Sequence, residues 1–423
     1  MLIISISFFS VFLLIDIWVF FLFTPLMISI LMCYQFGGFD GLFYIDDLSS
    51  LLVFLSVLVL FLSLYNHWGD FIKMVLFWSI AVFTFTRFLF RDYLLFYFSF
   101  EAVFLLIFFF LLGWGKSFER IQASFYILFF TLTFSLPFLI LLVILKVLFT
   151  PSLYLLGYFY FPTSFGYIIL LVFSVKLPIY RFHSWLPKAH VESPVEGSMI
   201  LAGVMLKIGG YGLIRFFPSI KFLSFHSSIP LCFFFYLAIF GGFLLSVVCA
   251  RQRDLKSIIA YSSVVHISLG FIGLLSQRFW GLKGFILLMV AHGLVSPRLF
   301  FLINFSYDAV YSRSVFILKG LILLNPLFCS IWFFSCFLNL GVPPFINFFS
   351  EFMILRIFSS LTLTEWLIAF LLLFFSGLYS VLIYSYLSHG ESTYSYYFFS
   401  PYIILLTCFC LLFFIFSYPF VFL

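Results

Sequence analysis

Four charged residues, Glu101, Lys176, Lys207 and Glu351, sit inside long apolar runs rather than at their ends. Each costs about 2.5–3.5 kcal/mol at the centre of a membrane helix. Packing alone could use apolar side chains, so the retention of four charges points to chemistry that needs protonatable groups. Lys207 lies in LAGVMLKIGG, with Gly203 one turn before it and Gly210 one turn after it on the same helical face. So small a face lets a neighbouring helix or water reach the ammonium, and a buried lysine changes its proton affinity readily, as a proton carrier must. The plainer reading is a lysine held by one fixed carboxylate. Glu101 is surrounded by Phe and Leu apart from Tyr97 and Ser99, so it needs a cation, and Lys176 is the candidate.

His266 and His292 fall within helical runs, whereas His183 and His190 flank a loop. A lone helical histidine is more often a packing residue, yet an imidazole with an ordinary pKa of about 6.5 is the natural relay between acid and base. Other chemistry is not indicated. The seven cysteines lie in apolar runs without CxxC or Cys/His ligand spacing, so no metal or disulfide is expected. No phosphate-binding loop, haem-ligand pattern or nucleophile arrangement stands out. Gly209, Gly210 and Gly212 read as close helix packing. No cofactor or redox centre is expected in this chain.

The elements that must position these groups follow from composition. The 423 residues are 65% hydrophobic and 9% charged, with mean hydropathy +1.26. Soluble domains carry about 25% charged residues, so the chain belongs in lipid. Long runs that are apolar on every side fit helices rather than the alternating segments of a β-barrel. Most Lys and Arg sit at the ends of runs, where they reach the interface, so the net charge of +6 does not imply nucleic acid.

Punctuation by Gly, Pro and charge gives apolar segments at 3–33, 45–65, 71–90, 92–113, 121–148, 164–182, 195–216, 229–250, 255–276, 281–305, 318–358, 364–387 and 399–421. Pro25 and Asp16 interrupt the first, and segment 318–358 is too long for one straight span. Interior prolines remove helix hydrogen bonds, so Pro178 is expected to free the carbonyl of Ser174, and Pro343 and Pro344 those of Asn339 and Leu340. Lys176 lies two residues before Pro178, and Glu351 follows Gly341, Pro343 and Pro344. Unwound backbone at membrane depth needs protein or water to satisfy it, and paired broken helices mark transporter-like sites.

Residues 175–216, VKLPIYRFHSWLPKAHVESPVEGSMILAGVMLKIGGYGLIRF, resemble the most characteristic stretch of the subunit 4 family of mitochondrial complex I. FYFSFEAVFL around Glu101, RQRDLKSIIAYSSVVHISLG from Arg251, AHGLVS from Ala291 and LNLGVPPFINFFSEFMIL from Leu338 extend the resemblance over about residues 90–360. It implies an all-α integral membrane fold of 13–14 transmembrane helices containing two inverted five-helix repeats, each with one broken helix. The expected division is N-terminal helices over 1–65, repeats over 71–216 and 229–387, and a last helix over 399–421. The implied proton path runs from Glu101 with Lys176, through Lys207, His266 and His292, to Glu351.

Glutamate at 351 favours subunit 4 over its sister antiporter-like subunits. Arg181 and Arg298 depart from the family pattern. Implied partners are other membrane-arm subunits, especially the antiporter-like subunits 2 and 5, together with lipids. Flavin, iron–sulfur clusters and quinone are expected in other subunits of the complex.

The first Lys or Arg is Lys73, so no basic leader or transit pattern is present. The 72 Phe beside ten Lys and five Asn suit a thymine-rich coding strand. The first feature fits an organelle-encoded or bacterial product and the second favours a mitochondrial gene, while the resemblance implies the mitochondrial inner membrane. Two alternatives compete: a subunit of a multisubunit cation/proton antiporter, and a structural spacer in the membrane arm that has lost transport.

Overall fold

The computed structural model describes residues 46–64, 70–115, 117–148, 163–219, 229–343, 345–358 and 362–390. The expected segments 3–33 and 399–421, with Asp16, Pro25 and Pro344, lie outside the described residues. Every other apolar segment is helical, as lipid demands of backbone that cannot bond to water.

The first helix, α1 (Asp47–Leu64), is followed by α2 (Phe71–Leu89), α3 (Tyr93–Trp114) and α4 (Arg120–Leu148). The next span is split into α5 (Thr163–Lys176) and α6 (Trp185–Glu192), before α7 (Val195–Phe216). Then come α8 (Ile229–Arg251), α9 (Leu255–Leu275) and α10 (Phe279–Val310). The short α11 (Leu321–Leu324) leads to a second split span, α12 (Pro326–Leu340) and α13 (Ile346–Phe358), and α14 (Leu363–Ser388) completes the described set.

Local chemistry fixes several ends. Asp46 and Ser49 cap α1 reciprocally: the Asp46 carboxylate accepts from the Ser49 amide at 3.1 Å, and the Ser49 hydroxyl from the Asp46 amide at 2.9 Å. Thr362 and Glu365 form a capping box on α14. The long segment 318–358 resolves into three helices. Asn325 caps α12, accepting from the Phe328 amide at 3.1 Å, with Pro326 in the first turn.

The two breaks differ in cause. After Lys176 the chain turns through residues 177–184. The Ser174 carbonyl expected to be left free by Pro178 is taken by the Ile179 amide at 3.2 Å, because the chain tightens into a turn there. The indole of Trp185 donates to the Val175 carbonyl at 3.1 Å and ties the two half-helices together. Arg181 stands in this turn with φ 74, a left-handed conformation unusual for a side-chain-bearing residue.

In the second break α12 ends before the prolines. Gly341 takes φ 73, its amide donates to the Leu338 carbonyl at 3.4 Å, and the Val342 amide donates to that of Phe337 at 3.5 Å. This is a Schellman ending, which glycine permits without a Cβ clash. Pro343 therefore follows a helix that glycine has already closed.

The interior is built around α7, buried along its whole apolar length, and around α9 and α10, which are nearly as enclosed. Only about a third of α4 and of α14 is buried. The expected close packing at the α7 glycines is present: a methyl on Gly210 would overlap the Met289 sulfur, and one on Gly212 the Phe173 ring.

Candidate functional site

α3 and α5 bring Glu101 and Lys176 together, with Nζ 3.4 Å from Oε1. The lysine side chain is fully enclosed and the carboxylate 12% exposed. The Lys176 ammonium also lies 3.6 Å from the Phe104 ring centre and 4.3 Å from that of Phe100, an apolar wall that still favours a cation. Beside this pair is a group the sequence reading passed over. Arg87 on α2 is fully buried, with its guanidinium 4.3 Å and 4.8 Å from the Phe100 and Phe96 rings. It donates to the Ile208 carbonyl at 3.3 Å, next to Lys207. Position near the end of an apolar segment hid it, because such arginines ordinarily reach out to the interface.

The centre is Lys207. Its Nζ donates to the Ala202 carbonyl at 2.6 Å and lies 3.0 Å from His292 Nδ1. Residues 201–205 form a π-helical turn just before it, a local widening that recurs at functional sites. LAGVM carries no composition that announces such a turn, so sequence could not have found it. The Lys207–His292 contact allows one shared proton: either the ammonium donates to a neutral ring, or a protonated ring donates to a neutral amine.

His266 follows, its ring centre 5.8 Å from that of His292. A cavity of about 10 Å³ bounded by Lys207, His292, His266, Leu177, Leu206 and Met289 separates them, close to the smallest space that admits one water. His266 Nδ1 is 3.8 Å from Glu351 Oε1, and its Nε2 is 3.3 Å from the Tyr379 hydroxyl of α14. Tyr379, absent from the sequence expectations, looks like any membrane tyrosine until the helices assemble.

The six expected site residues run in the order Glu101, Lys176, Lys207, His292, His266, Glu351: the two lysines and two histidines are buried, and the glutamates at the ends are partly exposed, each with a side chain 12% exposed. Lys207 and His266 stand roughly 17 Å along α7 and α9 at 1.5 Å per residue, about half the hydrocarbon thickness. The row is not continuous in hydrogen bonds: among the described residues none joins Lys176 to Lys207. The breaks lie beside the ends of the row. Lys176 closes α5, and Glu351 lies on α13 against Gly341, where an added Cβ would stand 2.9 Å from its Oε2. Asn347 donates to the Leu338 carbonyl at 2.6 Å across the second break. No group of three or more His, Cys, Asp or Glu side chains able to hold a metal occurs among the described residues.

Residues 91–379, which contain all six of these residues, match the family described as NADH:quinone oxidoreductase/Mrp antiporter, TM. The chain belongs to this family. Among curated members, NADH-ubiquinone oxidoreductase chain 4 of Ceratitis capitata is 38% identical over 84% of this chain and 80% of its own length. Chain 4 of Locusta migratoria is 44% identical over 70% of this chain and 66% of its own length, so the match spans about two thirds of that relative.

Solved structures share the fold. A chain of respiratory complex I from Thermus thermophilus has TM-score 0.76 at 22% identity, covering 88% of this chain and 80% of that one. A chain of the Mrp complex from Dietzia sp. has TM-score 0.71 at 19% identity, covering 83% and 68%. The antiporter-subunit alternative is thus the less favoured, since the chain 4 relatives are twice as similar in sequence.

Proposed function

We propose that this chain is a proton-translocating membrane-arm subunit of an NADH:ubiquinone oxidoreductase, carrying protons along the buried row while redox chemistry proceeds in other subunits. The observation that carries the reading is the Lys207–His292 contact at 3.0 Å, with protonatable groups beside a helix break at either end of the row. A proton arriving at His292 can pass to Lys207 without either group being exposed to lipid. Charge on the Glu101–Lys176 pair at one end, and on Glu351 at the other, biases which of the two central nitrogens holds it. The family's chain 4 members support the assignment to this enzyme, and with it membrane-arm partners, the antiporter-like subunits 2 and 5 among them. Flavin, iron–sulfur clusters and quinone then belong to those other subunits.

Two five-helix units, 71–216 and 229–387, fit the placement of a split span fourth in each set. A mitochondrial inner-membrane location, with a mitochondrial gene, fits the chain 4 relatives and the phenylalanine-rich composition.

The test is substitution of Lys207 in the assembled complex. Lys207→Ala is expected to leave NADH oxidation measurable under uncoupled conditions while lowering the protons moved per NADH. Lys207→Arg is expected to be nearly as damaging, because a guanidinium does not release its proton at accessible pH. Normal pumping by an assembled Lys207→Arg complex would make Lys207 a fixed positive charge and pass the carrier role to the histidines or to ordered water, whereas normal pumping by Lys207→Ala would favour the structural-spacer reading.

A further inference from the structure

A second cavity, of about 30 Å³, lies where α8, α9 and α14 meet; its wall is mainly apolar, Ile383 and Cys249 included, with Gln252, Arg253, Tyr379 and Tyr386 as its polar members. That is room for about two waters. Its outer end is open, since Arg253 is exposed and Tyr386 is 43% exposed. The short pairing of Asp254 with Ser314 holds the loop that frames this end, with the Leu255 amide donating to Arg313 and the Val315 amide to Arg253. Its inner end is Tyr379, only 1% exposed, whose hydroxyl reaches His266.

The two ring nitrogens of His266 thus have separate partners. Nε2 faces Tyr379 at 3.3 Å, and Nδ1 faces Glu351 at 3.8 Å. An imidazole placed this way takes a proton at one nitrogen and gives one up at the other, and a phenol hydroxyl both donates and accepts.

Resting on the proton-translocation reading above, we propose that this cavity is a hydrated access route joining the membrane face at Arg253 to the row through Tyr379 and His266. A cavity water gives a proton to the Tyr379 oxygen as the hydroxyl proton moves to His266 Nε2. Nδ1 and the Glu351 carboxylate stand 3.8 Å apart, beyond hydrogen-bond length, so the Nδ1 proton passes to the carboxylate once the two close that gap. One proton is taken from the water chain and one appears on Glu351. The ring is left with its proton on the other nitrogen, and it resets by rotating or by the return of the tautomer.

Radiolytic hydroxyl-radical footprinting of the intact complex tests the hydration directly. Tyr379 is expected to be oxidised several times faster than Tyr211, which is equally buried but bonded to the Phe88 carbonyl away from the cavity. Protection of Tyr379 equal to that of Tyr211 would overturn the route. Function is tested with Tyr379→Phe, which removes only the hydroxyl, and with Ile383→Trp, which fills the cavity and leaves Tyr379 in place. Both are expected to lower the protons moved per NADH in assembled complexes that still oxidise NADH when uncoupled. If Lys207→Ala abolishes this chain's pumping while Tyr379→Phe pumps fully, the route falls and the row stands. If Lys207→Ala also pumps fully, the underlying reading falls with it.

Discussion

Gly293→Ala probes the centre of the row without replacing a protonatable group. Gly293 follows His292 on α10, and a Cβ there would lie 2.7 Å from Leu55 Cδ1 and 2.8 Å from Lys207 Cε. Carbon atoms in contact prefer about 3.5–4.0 Å, so the lysine stem or α10 has to yield by roughly 1 Å. Lys207 Nζ is held to the Ala202 carbonyl at 2.6 Å and to His292 at 3.0 Å. A shift of that size carries the second contact beyond hydrogen-bond length.

Overpacking costs about 1–3 kcal/mol, and alanine returns up to about 1 kcal/mol in helix propensity over glycine, so the complex should still assemble. Transfer is affected more: misplacing a reacting group by about 1 Å can cost on the order of 100-fold. NADH-driven proton uptake into sealed vesicles, normalised to uncoupled NADH oxidation, should fall well below the native ratio. Gly113→Ala, where an added Cβ meets nothing within 4 Å, is the matched control and should be silent. A native proton-to-electron ratio in Gly293→Ala would refute the claim that the Lys207–His292 geometry carries the proton.

Three further outcomes are expected. Gly341→Ala places a side chain at φ 73 and a Cβ 2.9 Å from the Glu351 carboxylate, so it should cost about 1–2 kcal/mol from the backbone alone. It should also impair pumping, and unchanged thermal stability of the complex would contradict the Schellman account of the break. Arg181→Gly removes a side chain from φ 74 and should stabilise by roughly 1 kcal/mol, read as a higher melting temperature, whereas a lower one would show that the arginine makes a compensating contact. Glu101→Gln leaves the Lys176 ammonium with the Phe100 and Phe104 rings, worth about 0.5–2 kcal/mol each, against about 3–5 kcal/mol for breaking a buried pair. Less assembled complex and weaker pumping are expected on native gels and in vesicles, and full retention of both would remove Glu101 from the path.

The sequence by itself determined the membrane, the helices and the chemical inventory. Spans of lipid-compatible length are set by local composition, and interior charges at 101, 176, 207 and 351 stand out because insertion penalises them whatever the fold. Gly341 and the prolines marked the breaks, although which of them ended α12 depended on backbone conformation rather than residue type. Tertiary structure decided the pairings. That Lys207 bonds to His292, and that His266 turns one nitrogen to Glu351 and the other to Tyr379, depends on how α7, α9, α10, α13 and α14 pack, which no periodicity along one helix encodes. Arg87 and Tyr379 were invisible for the same reason: each has an ordinary interfacial role in sequence, and only burial against residues more than 100 positions away in the chain gives it another. The π turn before Lys207 belongs here too, since the strain of an extra residue per turn is settled by the neighbours that pack on α7, not by the five residues that form it.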